Sequence, residues 1–349
     1  MLQTHGDCNS VADRLFYSLS LSAPVIGGRQ ATLRRLLQIQ KYKQREMTMF
    51  KESRIQLVGG LGNQLSGYFF GKYLECERGH EVVFDTSELG RGYSNHQVTI
   101  ESLNLEGPFV NYRLLGGLFS YVIRRVTFAI CQRFPEWDAP KFLPRSYTAQ
   151  EGGFDVKHEN QPMGITYRGY FNSAKYFRST CVQGMRYPIS LMSPSDFYLD
   201  TSRMLASERF LSIHVRRGDY VGLGDLFGLL GGKYFLDSIQ ALRSMGCHWS
   251  RIVVFSDDVV AARDLLEKSL EGENVSFIEP PEGSDDAESL VLMSLAAHHI
   301  ISNSTFSLWA ALLGKSNAQV VAPEPWSKGL SEPREMLPSE WLRIDANFL

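Results

Sequence analysis

Phe210-Leu211-Ser212-Ile213-His214-Val215-Arg216-Arg217-Gly218-Asp219-Tyr220 is a β-prone apolar run that ends abruptly in charge. The run reads as a buried strand over 210–215, and Gly218 lets the backbone turn where it ends. His214, Arg216, Arg217 and Asp219 then stand at the mouth of a core strand, where polar groups are costly unless they find partners. In an extended chain Arg216 and Arg217 point to opposite sides, so one guanidinium can face a ligand while the other braces the loop. Arginine forks phosphate oxygens in pairs. A diphosphate is therefore the first candidate anion, and a structural Arg–Asp network closing the strand end is the alternative.

Working outward toward the C-terminus, the α/β rhythm continues. Helices are expected over 234–245, 259–270, 285–297 and 306–313, and strands over 251–255, 274–278, 299–302 and 318–322. Ligands of open α/β sheets gather at the carboxyl ends of the strands. Two polar clusters fall on such ends. Asn303-Ser304-Thr305 opens a helix and presents hydroxyls and N–H groups as an anion site, which with Arg216 or Arg217 suits a diphosphate. Ser256-Asp257-Asp258 offers Asp257, either as a two-oxygen acceptor for an N–H edge such as guanine's or, like Ser256, as a helix cap.

Toward the N-terminus, a strand over 55–58 leads into Gly59-Gly60-Leu61-Gly62-Asn63-Gln64, a helix over 65–78 stopped by Gly79, and a strand over 81–85. This is a βαβ unit, but its glycines run GGxGNQ rather than GxGxxG, which disfavours a dinucleotide fingerprint. The two amides suit hydroxyls or oxyanions. Gly67 and Gly71 lie one turn apart and imply close approach of another element. Residues 135–161 read as mostly loop. The aromatic-rich 166–177 reads as a sugar-binding wall or as ordinary core, and 188–208 as a hinge and the first helix of a second domain.

The chain of 349 residues is 44% hydrophobic and carries a net charge of -2. That length suits two domains, and that charge gives no whole-molecule attraction for nucleic acid. Five scattered cysteines without a CxxC pair are expected to be reduced. No apolar run reaches the roughly 20 residues of a membrane span, and no signal peptide is evident. Residues 1–53, rich in Arg and Lys from position 29 onward, read as a basic or disordered extension or as a start placed too early, ahead of Met47 or Met49. Residues 112–130 read as amphipathic, with peripheral membrane contact left open.

The Gly59–Gln64 turn, the stretch His214–Tyr220 and Ile301-Ser302-Asn303-Ser304-Thr305-Phe306-Ser307-Leu308-Trp309-Ala310-Ala311 occur in that order. Together they resemble the signatures of the α-1,2-fucosyltransferases of glycosyltransferase family 11, from about residue 54 to the C-terminus. The resemblance implies an α/β, GT-B-like fold of two Rossmann-like lobes, residues 54–200 on the acceptor side and 201–349 binding GDP-fucose. It implies inverting transfer of fucose to the 2-hydroxyl of a galactose on a glycan acceptor, with no required metal or cofactor. By the same resemblance Arg216 is the diphosphate clamp, aided by Ser304 and Thr305; Arg217 and Asn303 stay in the candidate donor-binding set from the reading of their own positions. Asp257 corresponds to a guanine-reading acid, and Gly62 and Asn63 belong to the loop that approaches from the first lobe. The general base stays open between Asp219 and His214.

Bacterial relatives of this kind work on lipopolysaccharide or capsule units, so the expected place is the cytoplasm, peripheral on the inner face of the plasma membrane. The text departs from the family at Ser66 and Gly67, expected to widen the acceptor side, at Leu308 in place of a Trp, and at Ser289 in place of an acid beside Glu288. Another GDP-sugar transferase and a non-catalytic sugar-nucleotide or glycan-binding protein remain the alternatives, and a nicotinamide oxidoreductase is disfavoured.

Overall fold

The computed structural model describes residues 52–90, 96–112, 126, 133, 145–150, 152–184, 190–267 and 270–349. The expectations for residues 1–51, for nearly all of 113–130 and for 135–144 lie outside them.

Two parallel sheets organise the chain. The first holds β1 (Glu52–Gln56), β2 (Glu81–Asp85), β3 (Phe109–Val110), β4 (Ser146–Thr148) and β5 (Thr166–Arg168), in the order β3-β2-β1-β5-β4. The second holds β6 (Phe210–Val215), β7 (Arg251–Ser256), β8 (Val275–Phe277), β9 (His298–Ile300), β10 (Gln319–Glu324) and β11 (Leu342–Asp345), in the order β11-β10-β9-β6-β7-β8. Every pairing within both is parallel, and such sheets need helices on their faces. These are α1 (Leu61–Arg78), α2 (Ala174–Arg178), α3 (Thr180–Gly184), α4 (Asp196–Ala206), α5 (Gly232–Ser244), α6 (Val259–Leu266), α7 (Asp286–Ser294) and α8 (Thr305–Leu312). The fold is α/β and two-lobed, GT-B-like in its architecture.

β1 starts at Glu52, three residues before the expected strand, because its polar residues have partners. Ser53 Oγ lies 2.9 Å from His80 Nδ1, and the Arg54 guanidinium sits 4.3 Å above the Tyr112 ring. α1 begins inside the glycine turn. Its Gly67 and Gly71 admit the close approach that their spacing implied: a Cβ would stand 2.8 Å from Leu57 Cδ2 and 2.5 Å from Phe84 Cε1, respectively.

The sugar-wall reading of 166–177 fails for its buried aromatics. Tyr167, Phe171 and Tyr176 are fully buried. Phe171 stacks on Phe70 at 4.0 Å, and Tyr176 meets His158 Nδ1 at 2.8 Å. Only Tyr170 of these rings stands in solvent.

One apolar core runs from Ile55 in β1 through α1 to Val291 in α7 and Trp309 in α8, so the two sheets are joined by shared packing. Trp309 stacks on Phe69 at 4.7 Å. The expectation of five reduced cysteines also fails, since Cys76 and Cys181 form a disulfide with a Cα separation of 6.0 Å. α3 packs on α1 and brings the two positions together, although 105 residues separate them. Among the described residues no helix is long and apolar enough to cross a membrane.

Candidate active site

β6 is buried along its whole length and delivers its charged end to the carboxyl edge of the second sheet. There the paired arginines diverge as an extended chain requires. Arg216 lies on the open side, with Nη2 donating to Asp219 Oδ1 at 2.6 Å and Nη1 at 3.1 Å from Asp257 Oδ2. Its Nε is buried without a hydrogen-bond partner. Arg217 turns inward and donates to the Leu230 carbonyl at 2.9 Å, while its backbone N–H donates to Asp257 Oδ1 at 2.8 Å. Arg217 thus braces the loop through Nη2 and its backbone, while its Nη1 is buried without a hydrogen-bond partner.

Asp257 thus holds the turn with both oxygens and sits directly on Gly218, where a Cβ would come within 2.3 Å of Oδ2. The cap of α6 is neither Ser256 nor Asp257 but Asp258, which accepts from Ala261 N at 2.9 Å. His214 is buried with Nδ1 2.6 Å from Ser302 Oγ. Burial, helped by the Arg216 charge, pushes its imidazole down to about 3, so it is neutral and enclosed. A ring so enclosed and so weakly basic is poorly placed to take a proton from an acceptor hydroxyl.

The start of α8 is equally particular. Ser304 caps it, accepting from Phe306 N at 3.3 Å. Asn303 is buried and donates its amide to the carbonyls of Phe227 and Gly228 at 2.9 and 3.2 Å, which makes its Nδ2 a strut between the two segments. Thr305 is half-buried. Gly62, from the first lobe, lies against this turn so closely that a Cβ would stand 2.4 Å from Thr305 C and 2.6 Å from Phe306 N.

The two amides of the glycine turn part company. Gln64 is buried and satisfies all four of its hydrogen bonds, donating to Gly59 O and Gln97 O and accepting from Thr99 N and Ile100 N. Asn63 keeps a buried Oδ1 with no partner. Ser66 and Gly67 do not widen an acceptor pocket. Ser66 is buried and bonded to Trp309 Nε1 at 2.8 Å, and Gly67 faces Leu57 in the core.

A further carboxylate belongs to this neighbourhood. Asp285, the cap of α7, accepts from Ser102 Oγ of the first lobe and from Ala287 N. Asp286 follows it. Desolvation and the Asp285 charge raise the Asp286 carboxyl above its ordinary range, while Arg216 and His96 draw it down and Asp257 pushes it up. The sequence places Asp286 only at the start of the helix expected over 285–297. Its one available signal was the position of Asp285-Asp286 beyond the carboxyl end of a strand. Among the described residues no three His, Cys, Asp or Glu side chains converge as a metal-holding set.

Arg216 and the carboxylates of Asp219, Asp257 and Asp286 therefore gather at the carboxyl end of the second sheet, where the glycine turn of the first lobe meets the start of α8. Residues 124–345 match the family described as Glycosyl transferase family 11. The chain is 27% identical over 313 residues to an alpha-1,2-colitosyltransferase of Escherichia coli, covering 83% of this chain and 98% of that protein. It is 30% identical over 137 residues to the O-antigen biosynthesis glycosyltransferase WbnK of Escherichia coli, 38% of this chain and 44% of that one. It is 26% identical over 145 residues to the galactoside 2-alpha-L-fucosyltransferase SEC1 of Bos taurus, 40% of this chain and 39% of that one.

Proposed function

The chain belongs to glycosyl transferase family 11, and from that premise we propose that it transfers L-fucose from GDP-fucose to the 2-hydroxyl of a terminal galactose, with inversion at the anomeric carbon. The observation that carries this reading is Arg216, held between Asp219 and Asp257 at the open carboxyl end of β6. A guanidinium aimed by two carboxylates is preorganised for the charge that grows on a departing diphosphate, which is where electrostatic catalysis acts. Ser304 and Thr305 add the start of α8 to the same anion. Asp257, bonded to the backbone of Arg217, both sets the turn and offers itself to the guanine edge. Asn63 and Gly62 bring the first lobe to the donor.

In this reading residues 54–200 present the acceptor and residues 201–349 hold the donor. The arginine and the helix start supply the charge compensation, and no metal is required. The acceptor is a galactose-containing glycan such as an O-antigen repeat unit, a reading supported by the likeness to WbnK. The reaction is placed at the cytoplasmic face of a bacterial plasma membrane.

A second reading differs only in the sugar. The colitosyltransferase match covers 98% of that protein, and colitose is fucose without its 3-hydroxyl, so the same clamp would serve GDP-colitose. The test is an assay of the full chain with GDP-fucose and GDP-colitose against a panel of β-galactosides and their 2-deoxygalactose analogues, following GDP release with and without EDTA. EDTA-resistant turnover with GDP-fucose that disappears with the 2-deoxy sugars supports the proposal. Preference for GDP-colitose moves the assignment to the second reading, and loss of turnover in EDTA removes the metal-free mechanism.

A further inference from the structure

α7 begins where the first lobe meets the second. Its cap, Asp285, is tied to Ser102, and Ser102 belongs to the segment that Gln64 pins to the glycine turn through Thr99 and Ile100. The same segment carries His96, whose ring lies against Gly60, 3.6 Å from where a Cβ would stand. These ties bring the first residue of α7 to the mouth of the site. Asp286 is exposed there, and among the described residues its carboxylate makes no hydrogen bond or ion pair. The other candidates are engaged: His214 is enclosed on Ser302, and Asp219 is bonded to Arg216 at 2.6 Å.

We propose that Asp286 is the general base that takes the proton from the acceptor hydroxyl, an inference that rests on the transferase reading above. The hydroxyl oxygen forms its bond to the anomeric carbon as the bond from that carbon to the diphosphate oxygen breaks. The electron pair leaves with GDP, whose charge Arg216 receives, and the hydroxyl proton passes to the Asp286 carboxylate and then to water. A base works best when it is accessible and its basicity is raised toward the operating pH. Asp286 is accessible and unpaired, with Asp285, Asp257, Arg216 and His96 as the charged groups around it. Asp219 is instead the positioning residue that aims Arg216.

The experiment compares full-length wild type, Asp286→Asn, Asp286→Glu and Asp219→Asn with GDP-fucose and a β-galactoside. Asp286→Asn is expected to lower kcat by about 10²–10⁴-fold, with GDP affinity and melting temperature unchanged and the acid limb of the kcat/KM profile lost. Asp286→Glu should recover part of the rate. Asp219→Asn should weaken GDP binding as well as turnover. Near-normal kcat in Asp286→Asn, or a parallel loss of GDP binding, overturns the assignment of the base while leaving the transferase reading intact. A wild-type protein inert toward every GDP-sugar and acceptor overturns that reading itself, and the base with it.

Discussion

Trp309 Nε1 donates to Ser66 Oγ at 2.8 Å, and that hydroxyl in turn donates to the Gly62 carbonyl at 3.1 Å, so one serine ties α8 of the second lobe to the first turn of α1. Both side chains are buried. Ser66→Ala leaves the indole N–H without an acceptor, which costs about 1–3 kcal/mol. The variant is expected to unfold at lower urea concentration with unchanged acceptor preference. An unchanged midpoint, or a shifted acceptor preference, would return Ser66 to the acceptor pocket.

The two arginines of the β6 end should separate cleanly in mutagenesis. Arg216 lies half-open between carboxylates, so Arg216→Ala is expected to fold normally and to lose about 10²–10³ in kcat, the scale of one preorganised donor. Arg217→Ala strips the Leu230 carbonyl of its buried partner and should cost about 1–3 kcal/mol of stability. The pair is read by melting curves beside steady-state kinetics. Equal activity losses with equal melting temperatures would mean that both guanidinia touch the donor.

Much of this was legible in the chain because its signals are local. The runs that became β6, β7 and α1 carry strand and helix periodicities over many residues, and the divergence of Arg216 and Arg217 follows from strand geometry alone. What escaped was either short or distant. β4 and β5 have three residues each, too few for a period, and the aromatics of 166–177 read as a binding wall although Phe171 stacks on Phe70 in the core. Asp286 reaches the site through Ser102–Asp285, a contact across 183 residues, and Cys76 meets Cys181 across 105. The amides of Gln64 and Asn303 were not legible as struts for one reason: the backbone carbonyls or N–H groups they meet come largely from remote segments.

His214 and His299 are both fully enclosed, and burial pushes each imidazole down to about 3. In the unfolded chain the same groups titrate near 6.5. Between those values the unfolded state binds protons that the folded state refuses, so the contribution is intact above about pH 6.5 and is lost as pH falls. The slope is up to about 1.4 kcal/mol per pH unit for each histidine. Urea unfolding at pH 7, 6 and 5 should show His214→Gln with a shallower loss than wild type. Identical slopes would mean that His214 already accepts its proton in the folded protein.

Two glycines at the site look alike in the sequence and should behave differently when given a methyl group. At Gly62 the new Cβ meets Thr305 C and O at 2.4 and 2.5 Å and Phe306 N at 2.6 Å, all of them backbone atoms that cannot rotate aside. At Gly218 it meets Asp257 Oδ2 at 2.3 Å, the far end of a side chain that can turn. Gly62→Ala must therefore separate α1 from α8 and is expected to destabilise by about 1–3 kcal/mol or more, with activity lost in parallel. Gly218→Ala should cost less stability than Gly62→Ala, because the carboxylate can swing away, but in doing so it releases Arg216 and the Arg217 N–H. Its signature is a raised KM for the GDP-sugar and weaker GDP binding in calorimetry. A Gly62→Ala protein that melts like wild type would show that the lobes do not meet at Thr305, and a Gly218→Ala protein with normal GDP affinity would remove Asp257 from the donor site.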